Sequence, residues 1–209
     1  MRFLLLISGC ALVAACSGLY KNLPASQVNG SCLEKFRPVF PSVLYNAHID
    51  VTKYHLSGLL LIKQMPDSST RLVFSSETGV TYFDFSFSKE NNFSVYRIID
   101  AMNKKPVIKT LRKDFELVMM KQGNKGSYSL TDSSSVYIAF PQTKGTYYYI
   151  TDTNCTRLIK MERASRTKVV VEAITDGMTN GSPDSIGISH RNFHFDIGLK
   201  KIKRQEPAN

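Results

Sequence analysis

The residues of this sequence that could carry out chemistry are scattered, and they complete no known catalytic or metal-binding set. His190 and His194 have the four-residue spacing that suits two metal ligands on a helix, but they flank an Arg-Asn-Phe turn between predicted strands. No Cys, Asp or Glu nearby completes a ligand set, so we interpret the two histidines as a surface pair. The G-x-S-x-G, P-loop and H-E-x-x-H motifs are absent as well. We therefore predict no catalytic residue, no metal and no cofactor, and a hydrolase with an unrecognised site is the least favoured alternative.

The N-terminal segment is typical of a secretory signal peptide. Arg2 precedes an apolar run from Phe3 to Ala15 that ends in small residues. This run is shorter than the roughly 20 apolar residues that a membrane-spanning helix needs. Its end, Val13-Ala14-Ala15-Cys16, resembles the lipobox of bacterial lipoprotein precursors, in which a peptidase cuts before a cysteine that carries lipid. The resemblance predicts a signal peptide over residues 1–15 and lipidation of Cys16, and the alternative is an ordinary signal peptide with an incidental cysteine.

Lipidation implies that the membrane is a partner of this protein. Bacterial lipoproteins of this kind carry three acyl chains, palmitate among them, and two or more chains hold a protein stably on a bilayer. Ser17 follows Cys16 in place of the aspartate that favours retention at the inner membrane, so the resemblance points to the periplasmic face of the outer membrane. Residues 16–29 are predicted to be a lipidated linker, and residues 30–209 a single domain, which we expect to be a monomer.

Cys32 and Cys155 are the cysteines that remain once Cys10 leaves with the signal peptide and Cys16 carries lipid. Leftover cysteines of an exported protein tend to pair in an oxidising compartment. We therefore predict a disulfide between them, which would tie the N-terminal segment to the sheet, and two unpaired buried thiols are the alternative.

The charge of the chain is strongly positive, with a formal net charge of +10. A tethered, exported protein rarely meets nucleic acid, so we expect no nucleic-acid partner. Two interpretations remain open at this stage: attraction to anionic lipid headgroups, and a charge that only keeps the protein soluble. The basic segment from Lys200 to Arg204 is part of such a patch or a frayed tail.

The body of the chain has the pattern of an antiparallel β protein. Short apolar or alternating runs recur between turn residues from Val43 to Ile202. One helix interrupts them, with Pro106 at its start, Gly123 as a plausible stop, and an apolar face of Ile108, Leu111, Phe115 and Val118. A membrane-surface helix is one outcome, and a helix packed on or inside a curved sheet is the commoner one. The predicted fold class is mainly β (α+β), an antiparallel open or half β-barrel wrapped around one amphipathic helix.

Several strands carry more apolar surface than one small face needs. Phenylalanines alternate on one predicted strand, so their rings share a face. In a curved open sheet such a face can form an apolar cavity large enough for a lipid, although each residue singly is expected in the core. The cavity candidates are Leu59, Leu61, Leu72, Phe74, Phe83, Phe85 and Phe87.

The body also resembles the LolA/LolB superfamily, which handles lipoproteins in the bacterial envelope. The resemblance is carried by Leu56-Ser57-Gly58-Leu59 at the start of a strand, by the antiparallel run that follows, by the later helix, and by Ile186-Gly187-Ile188-Ser189-His190. It implies an incomplete barrel with a helical lid and an apolar cavity for acyl chains. It also implies a membrane-contact loop after the third strand, here Asp100 to Lys105, with Met102 as the apolar candidate. The implied function is a LolB-like carrier or receptor of acyl chains or lipoproteins, and not an enzyme. The alternative is a structural or accessory outer-membrane lipoprotein with a filled barrel and a protein partner.

Overall fold

The computed structural model of this protein describes residues 18–51, 54–122 and 126–203. The predicted signal peptide, the predicted lipidation site Cys16 and the predicted helix stop at Gly123 therefore lie outside the described residues. The elements follow one another as a 3-10 helix (Gly30–Phe36), β1 (Ser42–Val51), β2 (Tyr54–Gln64), β3 (Thr70–Ser75), β4 (Thr81–Phe87), β5 (Phe93–Ile98), α1 (Lys105–Val118), β6 (Tyr128–Thr131), β7 (Ser135–Pro141), β8 (Thr146–Asp152), β9 (Leu158–Ala164), β10 (Val169–Thr179), β11 (Ser182–His190) and β12 (Phe195–Lys201).

The strands form one antiparallel sheet in the order β5-β4-β3-β2-β1-β12-β11-β10-β9-β8-β7-β6. Strands that are neighbours in sequence pair with each other, and β1 pairs with β12 where the two halves of the chain meet. The two edge strands, β5 and β6, do not pair, so the sheet stays open. The inner face packs around α1 in one continuous apolar cluster. The predicted open antiparallel sheet around one helix is confirmed.

Alternation along the strands decides which side chains face α1. In β1, Val43, Tyr45, Ala47 and Ile49 are buried on the inner face, while the residues between them point outward. Gly58 in β2 is required by a close approach of two strands, because a Cβ atom there would lie 2.1 Å from the carbonyl oxygen of a β3 residue.

The turns between strands fall at two opposite ends of the sheet, as they must in an antiparallel meander. We call proximal the end formed by the turns at 76–80, 99–104, 142–145, 165–168 and 191–194. The distal end is formed by the turns at 65–69, 88–92, 132–134, 153–157 and 180–181. Helix α1 starts from the proximal end, directly after the turn that follows β5.

Residues 18–29 lie against the sheet, although the sequence suggested a linker over this stretch. The amide of Leu19 donates a hydrogen bond of 2.8 Å to the carbonyl oxygen of Arg166 in a proximal turn. The hydroxyl of Tyr20 donates to Glu162 at 2.6 Å on the outer face of β9. Further along, the segment forms an isolated bridge with edge strand β6. Residues 18–29 therefore belong to the folded body and not to the predicted linker.

None of the helices in the described part of the chain is both long enough and apolar enough to span a membrane.

A disulfide joins Cys32 in the 3-10 helix to Cys155 in the distal turn between β8 and β9, with an Sγ–Sγ distance of 2.08 Å and a sequence separation of 123. It fixes the segment that precedes β1 to the opposite half of the sheet. A cross-link over so long a loop restricts the unfolded chain strongly.

Removal of this disulfide should therefore destabilise the protein without changing its fold. We expect the Cys32→Ala/Cys155→Ala double variant to lose about 2–5 kcal/mol of unfolding free energy in a urea titration. Thiol titration of the denatured, unreduced mature parent should find neither cysteine free. Two titratable thiols, or an unchanged urea midpoint in the double variant, would contradict the prediction.

Candidate functional site

The inner face of β3 and β4 is a continuous aromatic surface. Phe83, Phe85 and Phe87 alternate along β4 and are fully buried. The rings of Phe83 and Phe85 are stacked with 4.4 Å between their centroids. Leu72 and Phe74 of β3 lie opposite Phe85 and Phe83 in the register and are equally buried. These side chains, all cavity candidates from the sequence, do share one face.

The other two cavity candidates lie on the wrong face. Leu59 and Leu61 are only half-buried, and their side chains alternate with the buried Leu60 and Ile62. Because side chains alternate between the two faces of a strand, Leu59 and Leu61 belong to the outer face. The near-continuous apolar run of β2 contains no clear alternation, so the sequence could not decide which of the leucines point inward.

Helix α1 covers this aromatic surface with its apolar face. Leu111, Phe115 and Val118 of the predicted stripe are buried, and Phe115 contacts Phe83 edge-on with 6.1 Å between ring centroids. The hydroxyl of Tyr149 in β8 donates to the carbonyl oxygen of Leu117 at 3.1 Å and so ties the end of the helix to the sheet. The amphipathic helix thus packs inside the curved sheet.

The space between helix and sheet is filled by side chains. Among the described residues, a cavity of about 560 Å³ lies beside the C-terminal end of α1 and opens at the distal end of the sheet. Its walls are mixed, with polar residues such as Arg37, Asn91 and Lys121 beside the apolar Phe40 and Met119. None of the predicted cavity residues contributes to its lining. In this conformation the aromatic face is therefore covered, and the helix has to move before a ligand can reach it.

A buried polar cluster joins α1 to the sheet. The carboxylate of Asp114 lies 2.8 Å from Nε2 of His190 in β11, and the side chains of both residues are 1% exposed. Its other oxygen lies 3.6 Å from Nη1 of Arg163 in β9. Neither Oδ1 of Asp114 nor that guanidinium nitrogen has a hydrogen-bond partner among the described residues. We call Asp114, His190 and Arg163 the helix latch.

Burial is the main influence on the pKa of Asp114. It raises the pKa of Asp114 above the usual carboxyl value, while the hydrogen bond from His190 and the charge of Arg163 act in the opposite direction. Burial also lowers the pKa of Lys113 on the same helix. A buried charge that lacks a partner is costly. Removal of one member of the helix latch should therefore destabilise the packing of α1 against the sheet.

The sequence did not predict the helix latch. His190 is buried against Asp114, whereas His194 is 63% exposed, so the interpretation of the two as a surface pair is wrong for His190. The available signal was helical spacing. Asp114 lies three residues after Leu111 and beside Phe115, which places a carboxylate within the apolar stripe of α1.

Other carboxylates of the described residues are dispersed over the sheet. Asp50 contacts His55 at 2.5 Å, Asp84 forms two hydrogen bonds with Arg71, and Asp100 is exposed in a proximal turn. Within the described ranges, no group of three His, Cys, Asp or Glu residues could hold a metal ion.

Met102 does not project from its loop. Its side chain is only 5% exposed and belongs to the core cluster. Its backbone amide donates to the carbonyl oxygen of Ile99 at 3.0 Å, which turns the chain back toward α1. The prediction of Met102 as an exposed membrane contact is therefore not met in this conformation.

The fold and the site together define an open antiparallel sheet whose aromatic inner face is covered by a single latched helix. No family model matches the sequence, and no curated protein does. The structure is similar to that of a LolA superfamily protein from Nitrosomonas europaea, with a TM-score of 0.49, 11% identity, and coverage of 85% of this chain and 94% of that chain. It is also similar to a DUF1329 family protein from Desulfovibrio piger ATCC 29098, with a TM-score of 0.42, 8% identity, and coverage of 83% and 90%.

A third similar structure is a domain described as an outer membrane lipoprotein-sorting protein from Vibrio parahaemolyticus, with a TM-score of 0.44, 7% identity, and coverage of 81% of this chain and 87% of that chain. At these identities the likeness is one of fold, and the function has to be argued from the residues of this chain.

Proposed function

We propose that this chain is an exported, lipid-anchored protein of the bacterial envelope that binds acyl chains, either of a lipid or of a lipoprotein, beneath helix α1. The observation that carries the proposal is the combination of the aromatic inner face of β3 and β4 with one amphipathic cover helix. A helix that is held by a polar latch can be released as a unit, and the surface it uncovers is lined by Leu72, Phe74 and the β4 phenylalanines.

Binding would exchange one apolar partner of the sheet for another. When α1 moves away, the sheet loses contact with Leu111, Phe115 and Val118, and an acyl chain takes their place. Each CH₂ group of the ligand that leaves water contributes about 0.8 kcal/mol, so a long chain offsets the loss of the helix contacts. The protein acts as a binding protein in this scheme, and it forms and breaks no covalent bond of its ligand.

The anchor and the location belong to the same proposal. The lipobox-like Val13-Ala14-Ala15-Cys16 supports lipidation of Cys16, and Ser17 supports the outer membrane with the body facing the periplasm. In that location a lipid-anchored carrier of the LolB kind would receive acyl chains from a soluble partner and release them into the bilayer.

A second function is favoured by a specific observation. The inner face is filled, and Phe83, Phe85 and Phe87 are completely buried under α1. A structural or accessory outer-membrane lipoprotein with a permanently filled sheet and a protein partner would have such an interior.

Native mass spectrometry of the processed protein, purified from cells in mild detergent, tests the proposal. We expect an N-terminal peptide that begins at Cys16 with the mass of attached acyl chains, and a second, non-covalent lipid that leaves on collisional activation. Acylation without any non-covalent lipid would favour the structural lipoprotein. A mass without acyl chains would refute the anchor.

A further inference from the structure

The first described residues are held at the proximal end of the sheet. The amide of Leu19 donates to the carbonyl oxygen of Arg166, and the ring of Tyr20 packs 4.6 Å from that of Tyr137 and 5.0 Å from that of Tyr148. Together with the hydrogen bond from Tyr20 to Glu162, these contacts fix the position at which the chain enters the body.

This entry point restricts where a lipid on Cys16 can lie. Cys16 is two residues before Gly18, and a residue spans at most about 3.6 Å, so its Cα lies within roughly 7 Å of that of Gly18. Strands of 7 and 11 residues, such as β8 and β10, separate the two ends of the sheet by roughly 20–35 Å at about 3.3 Å per residue. A bilayer that holds the lipid therefore meets the proximal end and not the distal one.

The proximal end has charges that suit anionic headgroups. Lys144, Arg166 and Lys168 are exposed in neighbouring turns, before β8 and between β9 and β10. None of the three side chains forms an ion pair with a residue that the structure describes. Lys104 and Lys105 are exposed at the start of α1, while the exposed carboxylates in the same set of turns are Glu77 and Asp100.

Large apolar side chains are exposed at the same end of the sheet. Val80 is 55% exposed, Phe193 is 46% exposed, and Tyr54, at the start of β2, is 53% exposed. An end of the sheet that carries both exposed apolar side chains and basic residues suits the boundary between headgroups and acyl chains.

We propose that the proximal end of the sheet is a membrane-contact surface that binds anionic phospholipid headgroups. The position of this surface rests on the proposed lipid anchor, whereas its binding chemistry belongs to the body itself. The orientation places the start of α1 against the bilayer, so that acyl chains would enter beneath the helix from the membrane side. It directs the basic segment Lys200–Lys203, which lies at the distal end, away from the membrane.

The surface can be tested without the lipid. The mature chain from residue 17, secreted behind a signal peptide of a non-lipoprotein so that its disulfide forms, should cosediment with vesicles of phosphatidylcholine and phosphatidylglycerol, and much less with pure phosphatidylcholine. Binding should weaken as salt is added. The proximal variant Lys144→Glu/Arg166→Glu/Lys168→Glu should lose at least about tenfold in affinity, since each basic residue near an anionic surface contributes measurably.

A matched control separates a specific surface from general charge attraction. Lys35→Glu/Lys63→Glu/Lys89→Glu makes the same change in net charge with exposed residues toward the distal end, and it should bind within about threefold of the parent. Circular dichroism confirms that both variants are folded. Equal losses in the two variants, or no binding of the parent to phosphatidylglycerol at low salt, would overturn the proposal.

The two experiments distinguish an error in the proposed lipid anchor from an error in the proposed headgroup surface. If the processed protein carries no acyl mass while the proximal variant alone loses vesicle binding, the anchor is wrong and the headgroup surface stands. If the acyl mass is present and both variants behave alike, the anchor stands and the surface is wrong.

Discussion

Asp114→Ala is expected to lower the free energy of unfolding by about 3–5 kcal/mol, because it removes one partner from a buried ionic cluster. His190 would lose its hydrogen bond of 2.8 Å, and the guanidinium of Arg163 would lose its nearest carboxylate. The measurement is urea-induced unfolding at neutral pH. Since α1 would also lose its latch, hydrogen exchange of the helix amides should accelerate more than that of the sheet.

A triple substitution provides the control for this prediction. Asp114→Leu/Arg163→Met/His190→Leu removes the three members of the latch together and should cost less than Asp114→Ala, because apolar residues then replace every polar group of the cluster. If Asp114→Ala costs less than about 1 kcal/mol, the latch makes no contribution to stability and the helix is held by its apolar face alone.

The raised pKa of Asp114 predicts the direction in which the stability of the folded protein changes with pH. Because burial raises its pKa, the folded protein binds this proton more tightly than the unfolded chain does. The stability contributed by the protonated form is complete below the usual carboxyl pKa of about 3.9 and is lost as the pH rises through the raised value. His190, Arg163 and Lys113 face this carboxylate, and each of them acts to lower its pKa, against the effect of burial.

The architecture could be predicted because the alternation along the strands and the helical spacing of α1 are visible in short stretches of the sequence. Phe83, Phe85 and Phe87 alternate along β4, and their rings share the inner face as expected. Thr81 does not follow, because a bulge pairs it with Ser75, which alternates with the buried Phe74. The helix was equally clear, since Leu111 and Phe115 repeat at helical spacing between segments of strand pattern. In both cases the spacing of apolar residues within one element predicts the type of that element and its buried face, without knowledge of distant contacts.

The errors concern side chains whose environment depends on distant parts of the chain. Met102 is the one large apolar residue between Asp100 and Lys105, and only tertiary packing decides that it folds inward rather than toward a membrane. His190 is buried because Asp114, which is 76 residues away in sequence, lies beside it in the folded protein. The position of Leu19 on a proximal turn has the same origin. Spacing along the sequence contains no information about such pairs. The candidate site was therefore predicted in the apolar part that β3 and β4 form, was wrong for Leu59 and Leu61 of β2, and was missed in its polar part.

Phe85→Ala is expected to cost about 3–5 kcal/mol of unfolding free energy, the loss typical of a large side chain removed from a filled interior. Its ring is fully buried, with centroids 4.4 Å from Phe83 and 5.1 Å from Phe93. If acyl chains bind beneath α1, the space left by the ring also enlarges their site. The affinity for a fluorescent fatty acyl probe should then change severalfold, in addition to the loss of stability.

Ile150→Ala is the matched control for the binding measurement. Ile150 is 2% exposed in the separate outer cluster beneath the N-terminal segment, so its loss should also destabilise the protein by about 2–5 kcal/mol. Because it does not face α1, the affinity for the probe should stay at the parental value. If the parent binds no probe while Phe85→Ala loses a full core-sized stability, the interior is permanently filled, the carrier is excluded, and the structural lipoprotein is the function that remains.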